Sequence, residues 1–228
     1  MDDDPFANSA WARIVLHGRA AGGLRVVLAG PGPSPDGPVP EWASDEIDAA
    51  FRALWGGPVK FSSDVAAAIV AASTRFGVEA AFLAAIVMQE SSGDTWAMRY
   101  EPAYNYLWDV EANKPFRGVM NPQTFPAPDG VSSQTEWMSQ KTSFGCCQIL
   151  GAVARELCYP NKYLTSLCDP DVGVEYGARL IARIMTSHKD PAEIASVYNS
   201  GHVAADLAND PYVTSVAKYH QQFAQSGF

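Results

Sequence analysis

The sequence lacks any apolar run long enough to cross a membrane, and it has little basic charge. Its longest uninterrupted apolar run, residues 80–88, has nine residues, whereas a helix that spans a bilayer needs about 20. Sixteen Lys and Arg against 25 Asp and Glu give a net charge of −9. The short apolar run therefore predicts no membrane span. Because an acidic surface repels phosphate backbones, we also expect no nucleic-acid partner. The acidic start at residues 1–5 predicts that no conventional signal peptide is present.

Patterns that bind metals are also missing. The four histidines are scattered, and the four cysteines, Cys146, Cys147, Cys158 and Cys168, show no C-x-x-C spacing. Metal sites of that kind need closely spaced Cys and His residues, so we expect neither a metal nor a cofactor. A Cys158–Cys168 bridge would need an oxidising compartment. Buried free thiols are therefore the favoured prediction.

Composition divides the chain into a short N-terminal part and a main domain. Eight of the eleven residues at 30–40 are Pro or Gly, which predicts a stiff, extended linker. Before it, two β-branched runs at 13–17 and 24–28 flank an Ala-Ala-Gly-Gly segment and predict a hairpin. We therefore predict an N-terminal appendage at residues 1–41 and one main domain at residues 42–228. With 47% hydrophobic residues overall, a domain of that size can bury a substantial core.

The main domain is predicted to be mainly α, because apolar residues recur there at helical spacing. Helices are predicted at 44–55, 63–76, 79–91, 152–157, 172–185, 191–198 and 211–225. Ser63 or Asp64 is the predicted cap of the second helix, and Asp190 and Asp210, each followed by proline, cap the last two. Residues 93–141 have weak periodicity and are predicted to form an insert of long loops with short turns.

Glu90 is a candidate general acid. The apolar stripe of Leu83, Ile86 and Val87 continues to Glu90, so its carboxyl emerges from the core-facing side of the last helical turn. Burial and the negative end of the helix dipole both raise the pKa of a carboxyl in that position. A carboxylic acid that stays protonated near neutral pH suits a general acid. The alternative is an ordinary helix-end glutamate whose carboxylate reaches solvent.

Two further segments place polar side chains beside glycines. In the first, Gly145 permits close backbone approach, and Gln148 offers an amide donor and acceptor suited to an N-acetyl or hydroxyl group. In the second, Tyr198 and Asn199 precede Gly201 at the end of a predicted helix. Taken singly, each segment is also consistent with an ordinary helix entry or C-cap.

The order of these segments resembles one known family, the soluble lytic transglycosylase (SLT) domain, over roughly residues 64–220. The matching motifs are Glu90-Ser91, Gly145-x-x-Gln148-Ile149, Tyr198-Asn199-x-Gly201 and Pro211-Tyr212-Val213. That family has a lysozyme-like fold and is related to goose-type lysozymes. The resemblance implies cleavage of the peptidoglycan bond between N-acetylmuramic acid and N-acetylglucosamine, with formation of 1,6-anhydro ends. Peptidoglycan glycan strands are then the expected binding partner.

The resemblance also implies roles for individual residues. Glu90 would be the single catalytic acid and base, and Tyr198 would sit beside it and steady the reacting saccharide. Ser139 and Gln148 would contact the N-acetyl group and its neighbours, Leu150 would line the same groove, and Asn199 would help to shape the site.

The sequence departs from the family pattern in three places. Cys146-Cys147 replace the usual Leu-Met, Ser200 replaces an alanine, and 48 residues separate Glu90 from Ser139 where the short family form has a handful. Part of this insert, Trp96-Ala97-Met98-Arg99-Tyr100-Glu101, resembles a subgroup encoded in bacteriophage genomes. We therefore expect a phage-encoded protein, an endolysin or a virion-associated enzyme, that acts in the host cell wall or periplasm. Residues 1–41 could then contact virion tail proteins.

Two alternatives stay open at this point. A hydrolytic lysozyme (muramidase) of the same fold would need a second carboxylate to position water, and Glu101 in the insert is the foremost candidate. A structural ion pair between Glu101 and Arg99 is the favoured interpretation of that carboxylate. The second alternative is a virion structural or glycan-binding protein that keeps the fold without the activity, for which Glu90 would be dispensable.

Overall fold

A computed structural model of the chain describes residues 13–16, 26–29 and 61–226. Contacts within the chain define two units, Met1–Asp45 and Glu46–Phe228. In the first unit, strands β1 (Arg13–Leu16) and β2 (Val26–Ala29) pair antiparallel, with Arg13 opposite Ala29. The predicted linker and the predicted helix at 44–55 lie outside the described residues. The domain boundary near residue 41 stays a prediction.

Residues 61–226 are mainly α, as predicted. They contain the helices α1 (Ser63–Phe76), α2 (Ala80–Ser91), α3 (Ser133–Gln140), α4 (Gly151–Glu156), α5 (Pro170–Ile184), α6 (Pro191–Ser200) and α7 (Pro211–Ser226). A 3₁₀ helix, Leu164–Cys168, precedes α5. Within the described residues, none of the helices combines the length and apolar character that crossing a membrane requires.

Local sequence determines where these helices begin and end. Ser62 caps α1 by accepting a hydrogen bond from the Val65 amide, so the predicted caps Ser63 and Asp64 instead lie in its first turn. Asp190 and Asp210 accept hydrogen bonds from the first-turn amides of α6 and α7, as predicted. The same Asp-Pro device, with Asp169 as cap, starts α5 two residues before its predicted start.

The insert is more ordered than the loops predicted for it. It contains α3, which Ser132 caps, and the short strands β3 (Met98–Tyr100), β4 (Trp108–Asp109) and β5 (Lys114–Pro115). Helix α3 escaped prediction because its buried residues, Glu136 and Gln140, are polar. Apolar periodicity is therefore absent from the segment that forms it.

A three-stranded antiparallel sheet connects the insert to the segment around Gln148. Strand β6 (Thr142–Phe144) lies between β3 and β7 (Ile149–Leu150). Its central residue, Ser143, is opposite Arg99 on one side and Leu150 on the other. This pairing brings the chain that follows α2 next to the chain that precedes Gln148.

Helix α2 forms the centre of the main core. Every residue from 81 to 88 is buried, so this helix is apolar on all sides rather than along one stripe. It packs against α1 and α7, and α5 packs against α1. Glu90 lies in the last turn of this buried helix, where the core meets the surface.

A smaller core and a buried ion pair hold the insert against α4. The small core consists of Leu107, Phe125 and Ala152, with partly buried aromatic rings around it. Beside it, Arg155 makes a two-pronged ion pair with Glu136, with N–O distances of 2.8 and 2.9 Å. The two side chains are 4% and 2% exposed. The remaining guanidinium donors bond backbone carbonyls of residues 159, 161 and 162, so this buried charge is fully satisfied.

Removing one member of this pair should strongly destabilise the fold. We expect Glu136→Ala to lower the free energy of unfolding by about 3–5 kcal/mol, because it leaves the Arg155 charge buried without its partner. The measurement is urea denaturation followed by circular dichroism. The matched control is Glu111→Ala, an exposed carboxylate of the same insert, which should stay within about 0.5 kcal/mol of the parent. Equal stability of the two variants would contradict the role given to the pair.

Candidate active site

A cavity of about 870 Å³ lies between the three-stranded sheet and the ends of α2, α5 and α6. Six residues predicted from the sequence line it: Glu90, Glu101, Gln148, Leu150, Tyr198 and Asn199. Ser139 is not among its lining residues. It is half-buried on α3, and a Cβ added to Gly151 would collide with its carbonyl oxygen. Ser143 lines the cavity instead.

Glu90 is held in a partly desolvated position with one close hydrogen-bond donor. The Tyr212 hydroxyl, on α7, donates to Glu90 Oε1 at 2.5 Å. Burial raises the pKa of Glu90 above its ordinary value, while the hydrogen bond from Tyr212 and the positive charge of Arg99 act in the opposite direction. Burial and the charge of Glu90 raise the pKa of Tyr212. The tyrosine therefore stays protonated and remains a donor whichever form the carboxyl takes.

Gln148, which lines the cavity, is the last residue of a tight turn at residues 145–148. The backbone amide of Gln148 donates to the Gly145 carbonyl at 3.0 Å and closes the turn. Gly145 has φ +70°, and a Cβ at this position would collide with the Leu167 carbonyl. Glycine is thus required for both the backbone conformation and the close approach of the neighbouring chain. The cysteines that follow it are buried in the core.

Two side chains fix this turn to the helices around it. Ser91, the residue after Glu90, donates from Oγ to the Cys146 carbonyl at 2.9 Å. Tyr198, near the end of α6, donates its hydroxyl to the next carbonyl, that of Cys147, at 2.7 Å. On α5, Gly177 leaves space for Cys147, because a Cβ there would lie 2.6 Å from its sulfur. Helices α2, α5 and α6 therefore all contact the four-residue turn at 145–148.

Gln148 has less hydrogen-bonding freedom than its sequence suggests. Its Nε2 group donates to the carbonyls of Ala97 and Gly145, both at 2.9 Å. Within the described residues no donor bonds its Oε1. The side chain therefore offers an acceptor to a ligand, whereas the sequence predicted both a donor and an acceptor.

The Arg99–Glu101 ion pair predicted from the sequence is present at the cavity wall. Arg99 Nη2 lies 2.9 Å from Glu101 Oε1, and the Ser143 hydroxyl donates to the same oxygen at 3.1 Å. Both charged residues line the cavity together with Glu90. The pairing of β3 with β6 produces this cluster, because it places Arg99 directly opposite Ser143.

The cysteines are free thiols, as the sequence favoured. Cys146, Cys147 and Cys168 are buried, whereas Cys158 is exposed, so the prediction that all four are buried is wrong for Cys158. It follows α4 in a left-handed backbone conformation, with φ +61°. That position turns it toward the surface, away from the core that holds the other three.

Sequence reasoning gave no role to two residues of the site, Ser143 and Tyr212. Tyr212 belongs to a motif already noted, but only the fold shows that its hydroxyl, rather than that of Tyr198, reaches Glu90. Residues 90 and 212 are 122 positions apart, and no local pattern joins them. The register of β3 against β6 could have indicated Ser143, had the strand at 98–100 been predicted.

Comparison with known families agrees with this geometry. The Transglycosylase SLT domain family matches residues 67–212, which is more than half of the chain. The chain belongs to this family, which has the lysozyme-like fold, and the protein is a lytic transglycosylase that degrades peptidoglycan. Searches of the curated proteins and of the solved structures gave no significant match.

Removing the Tyr212 hydroxyl should raise the pKa of Glu90 further, because its hydrogen bond favours the ionised carboxylate. We expect the alkaline limb of the pH–activity profile to move to higher pH in Tyr212→Phe. The control is Tyr219→Phe, on the same helix and also packed against the main core, which should leave the profile in place. An unchanged or acid-shifted limb in Tyr212→Phe would contradict the assigned hydrogen bond.

The pKa of Glu90 also predicts a pH-dependent stability difference. A carboxyl whose pKa is raised on folding stabilises the fold fully when the pH lies below the ordinary pKa of glutamate, 4.5. This contribution to stability is lost as the pH rises through the pKa in the folded state. We therefore expect Glu90→Gln to match the parent in stability at pH 4 and to exceed it at pH 7. Each pH unit between the two pKa values adds about 1.4 kcal/mol to the difference. Urea denaturation at both pH values measures the difference in free energy of unfolding between Glu90→Gln and the parent. A difference that falls between pH 4 and pH 7, instead of rising, would refute the raised pKa of Glu90.

Proposed function

We propose that Glu90 acts as the single general acid and base that cleaves the bond between N-acetylmuramic acid and N-acetylglucosamine. The observation that carries the proposal is the environment of its carboxyl. Burial favours the protonated form, and the Tyr212 hydroxyl, 2.5 Å from Oε1, stabilises the ionised form. A group that must first give one proton and then take up another needs both influences.

The first step breaks the glycosidic bond. Protonated Glu90 gives its proton to the oxygen between the two sugars, and the C1–O4 bond breaks with the electron pair leaving on that oxygen. The N-acetylglucosamine side departs with a free 4-hydroxyl. The acetamido oxygen of the muramyl sugar supplies electrons to its own C1 and stabilises the positive charge there.

The second step closes a ring on the muramyl sugar. Ionised Glu90 removes the proton from the 6-hydroxyl, whose oxygen bonds to C1 and displaces the acetamido oxygen. The product is a 1,6-anhydro end, and Glu90 returns to its protonated form. No water is consumed, so the reaction needs no second carboxylate to activate water.

Other cavity residues are proposed to hold the saccharide for these steps. The Gln148 Oε1 is suited to accept a hydrogen bond from the N–H of an acetamido group, since its own donors are bonded to the backbone. The Tyr198 ring and Leu150 offer apolar surface to the sugar. Asn199 is exposed, and its side-chain amide makes no hydrogen bond within the described residues. This side chain can therefore bond the saccharide directly.

Hydrolysis is a second candidate function, because Glu101 lines the same cavity. Its Oε1 is oriented by Arg99 and Ser143, whereas no donor in the described residues bonds its Oε2. A carboxylate fixed in this way could position a water molecule against C1 and make the enzyme a muramidase. The nature of the released ends separates the two reactions.

The test is a digest of purified sacculi, with the products identified by mass spectrometry. Transglycosylation predicts muropeptides lighter by one water that resist borohydride reduction. Glu90→Gln should lower their release by about 10²- to 10⁴-fold, the usual contribution of general acid–base catalysis. Reducing ends that take up borohydride would overturn the proposed single-carboxylate mechanism in favour of hydrolysis. Full activity of a folded Glu90→Gln protein would overturn the role of Glu90.

Glu101→Gln is the matched control, since it replaces a carboxylate of the same cavity with the same isosteric amide. The transglycosylase mechanism gives Glu101 no proton to transfer, so the type of product should not change in this variant. Loss of activity comparable to that of Glu90→Gln would contradict a single-carboxylate mechanism.

We also propose that the enzyme is phage-encoded and acts on the host cell wall, either as an endolysin or as part of a virion. Support comes from the resemblance of residues 96–101 to a phage subgroup, and from the place of Arg99 and Glu101 in the cavity wall. Antibodies raised against residues 61–226 provide the test. Detection in purified particles would support a tail-borne enzyme, detection only in the lysate would support an endolysin, and detection in uninfected cells would overturn the proposal.

A further inference from the structure

The cavity that contains Glu90 extends to two tyrosines of the insert. Tyr104 and Tyr106 line it, and their rings meet edge to face, with centroids 5.8 Å apart at an angle of 70°. Neither ring belongs to the motifs that identify the family. The cavity volume of about 870 Å³ is near the upper end of the range for small-molecule sites, about 300–1,000 Å³.

The two rings differ in burial in a way that suits a binding platform. Tyr104 is half-buried and packs against the small core of Leu107, Phe125 and Ala152, which fixes its position. Tyr106 leans on Tyr104 and is 83% exposed. Its hydroxyl makes no hydrogen bond within the described residues. Because the Tyr104 ring is held by this packing, it has little conformational freedom to lose on binding, and Tyr106 adds a second, open ring beside it.

Tyr104 packs against the small core of the insert, whereas Glu90 belongs to the helix at the centre of the main core. Burial and the charges of Glu156 and Glu101 raise the pKa of Tyr104, and the charge of Arg183 opposes them. Arg183 is itself paired with Glu156, at an N–O distance of 2.9 Å. The charges that act on Glu90 are instead those of Arg99 and Glu101. Glu101 lines the cavity together with both groups, and its carbonyl accepts a hydrogen bond from the Tyr104 backbone amide at 3.1 Å.

We propose that Tyr104 and Tyr106 form a subsite for an N-acetylhexosamine unit of the glycan strand beyond the two sugars at the cleaved bond. The C–H groups of a β-linked pyranose form an apolar face that fits an aromatic ring, while its hydroxyls project at the edge. Arg183, which lines the same cavity, offers charged N–H donors to such hydroxyls. The inference rests on the proposed function, since it assumes that the strand lies along the cavity.

Binding of peptide-free chitin oligosaccharides to Glu90→Gln protein, followed by calorimetry, tests the subsite without turnover. Adding Tyr106→Ala should weaken binding of the hexasaccharide about five- to tenfold, while affinity for the disaccharide changes less than about twofold. Tyr106→Phe keeps the ring and should restore hexasaccharide affinity. Tyr163→Ala removes a tyrosine that is 52% exposed and does not line the cavity, so it should have no effect. Thermal unfolding confirms that each variant is folded.

Three results would overturn the subsite. Equal hexasaccharide affinity with and without Tyr106 would show that the ring does not bind sugar. An equal loss for all lengths would place Tyr106 at the cleaved bond. A loss seen only with peptide-bearing muropeptides would make it a peptide contact. Because binding is measured with Glu90 already replaced, these outcomes do not depend on the catalytic role of Glu90, which the sacculus digest tests separately.

Discussion

The site depends on a pair of hydrogen bonds to adjacent peptide carbonyls. Ser91 holds the Cys146 carbonyl and Tyr198 holds that of Cys147, so the 145–148 turn is fixed from α2 and from α6 at once. Each donor follows or precedes a residue that faces the cavity: Glu90 comes before Ser91, and Asn199 after Tyr198. The same two bonds therefore restrain the positions of Glu90 and of the part of the cavity wall that Asn199 forms. Small displacements of a reacting group are costly in catalysis, and this arrangement restrains them with backbone acceptors, which cannot rotate away.

Glu90 shows how a fold can balance opposing influences on one carboxyl. The helix that carries it is apolar on all sides, so its last turn emerges from the core into a partly dry environment that favours the neutral acid. Tyr212 supplies a single donor from another helix, and that donor favours the ion. Because the pKa of Tyr212 is raised, its hydroxyl stays a donor, and the protonation state of this pair changes through the Glu90 carboxyl. The surrounding charges, Arg99 and Glu101, are paired with each other and partly cancel.

Much of this fold follows from the sequence, and the exceptions share a cause. Periodicity and Asp-Pro caps predict the helices that carry Glu90, Tyr198 and Tyr212, because these elements are apolar and locally specified. Helix α3 escapes prediction because its buried residues, Glu136 and Gln140, are polar. The strands of the insert escape because each is only two or three residues long. The order of motifs predicts the family, which the family match confirms, and singles out Glu90 as the proposed acid. It does not give the contact between Tyr212 and Glu90, nor the replacement of Ser139 by Ser143 in the cavity wall, because both depend on packing between segments far apart in the chain.

The insert leaves the sheet and returns to it at one point. The Glu101 amide donates to the Lys141 carbonyl at 2.7 Å, so the 39 residues between them form a closed excursion that begins and ends on neighbouring strands. Closing a longer loop adds little free energy, and the ends of this one are fixed whatever its length. The segment can thus be lengthened, shortened or exchanged without displacing Glu90. In this architecture the length of the insert, and with it the reach of the enzyme along the glycan strand, can change independently of the position of Glu90.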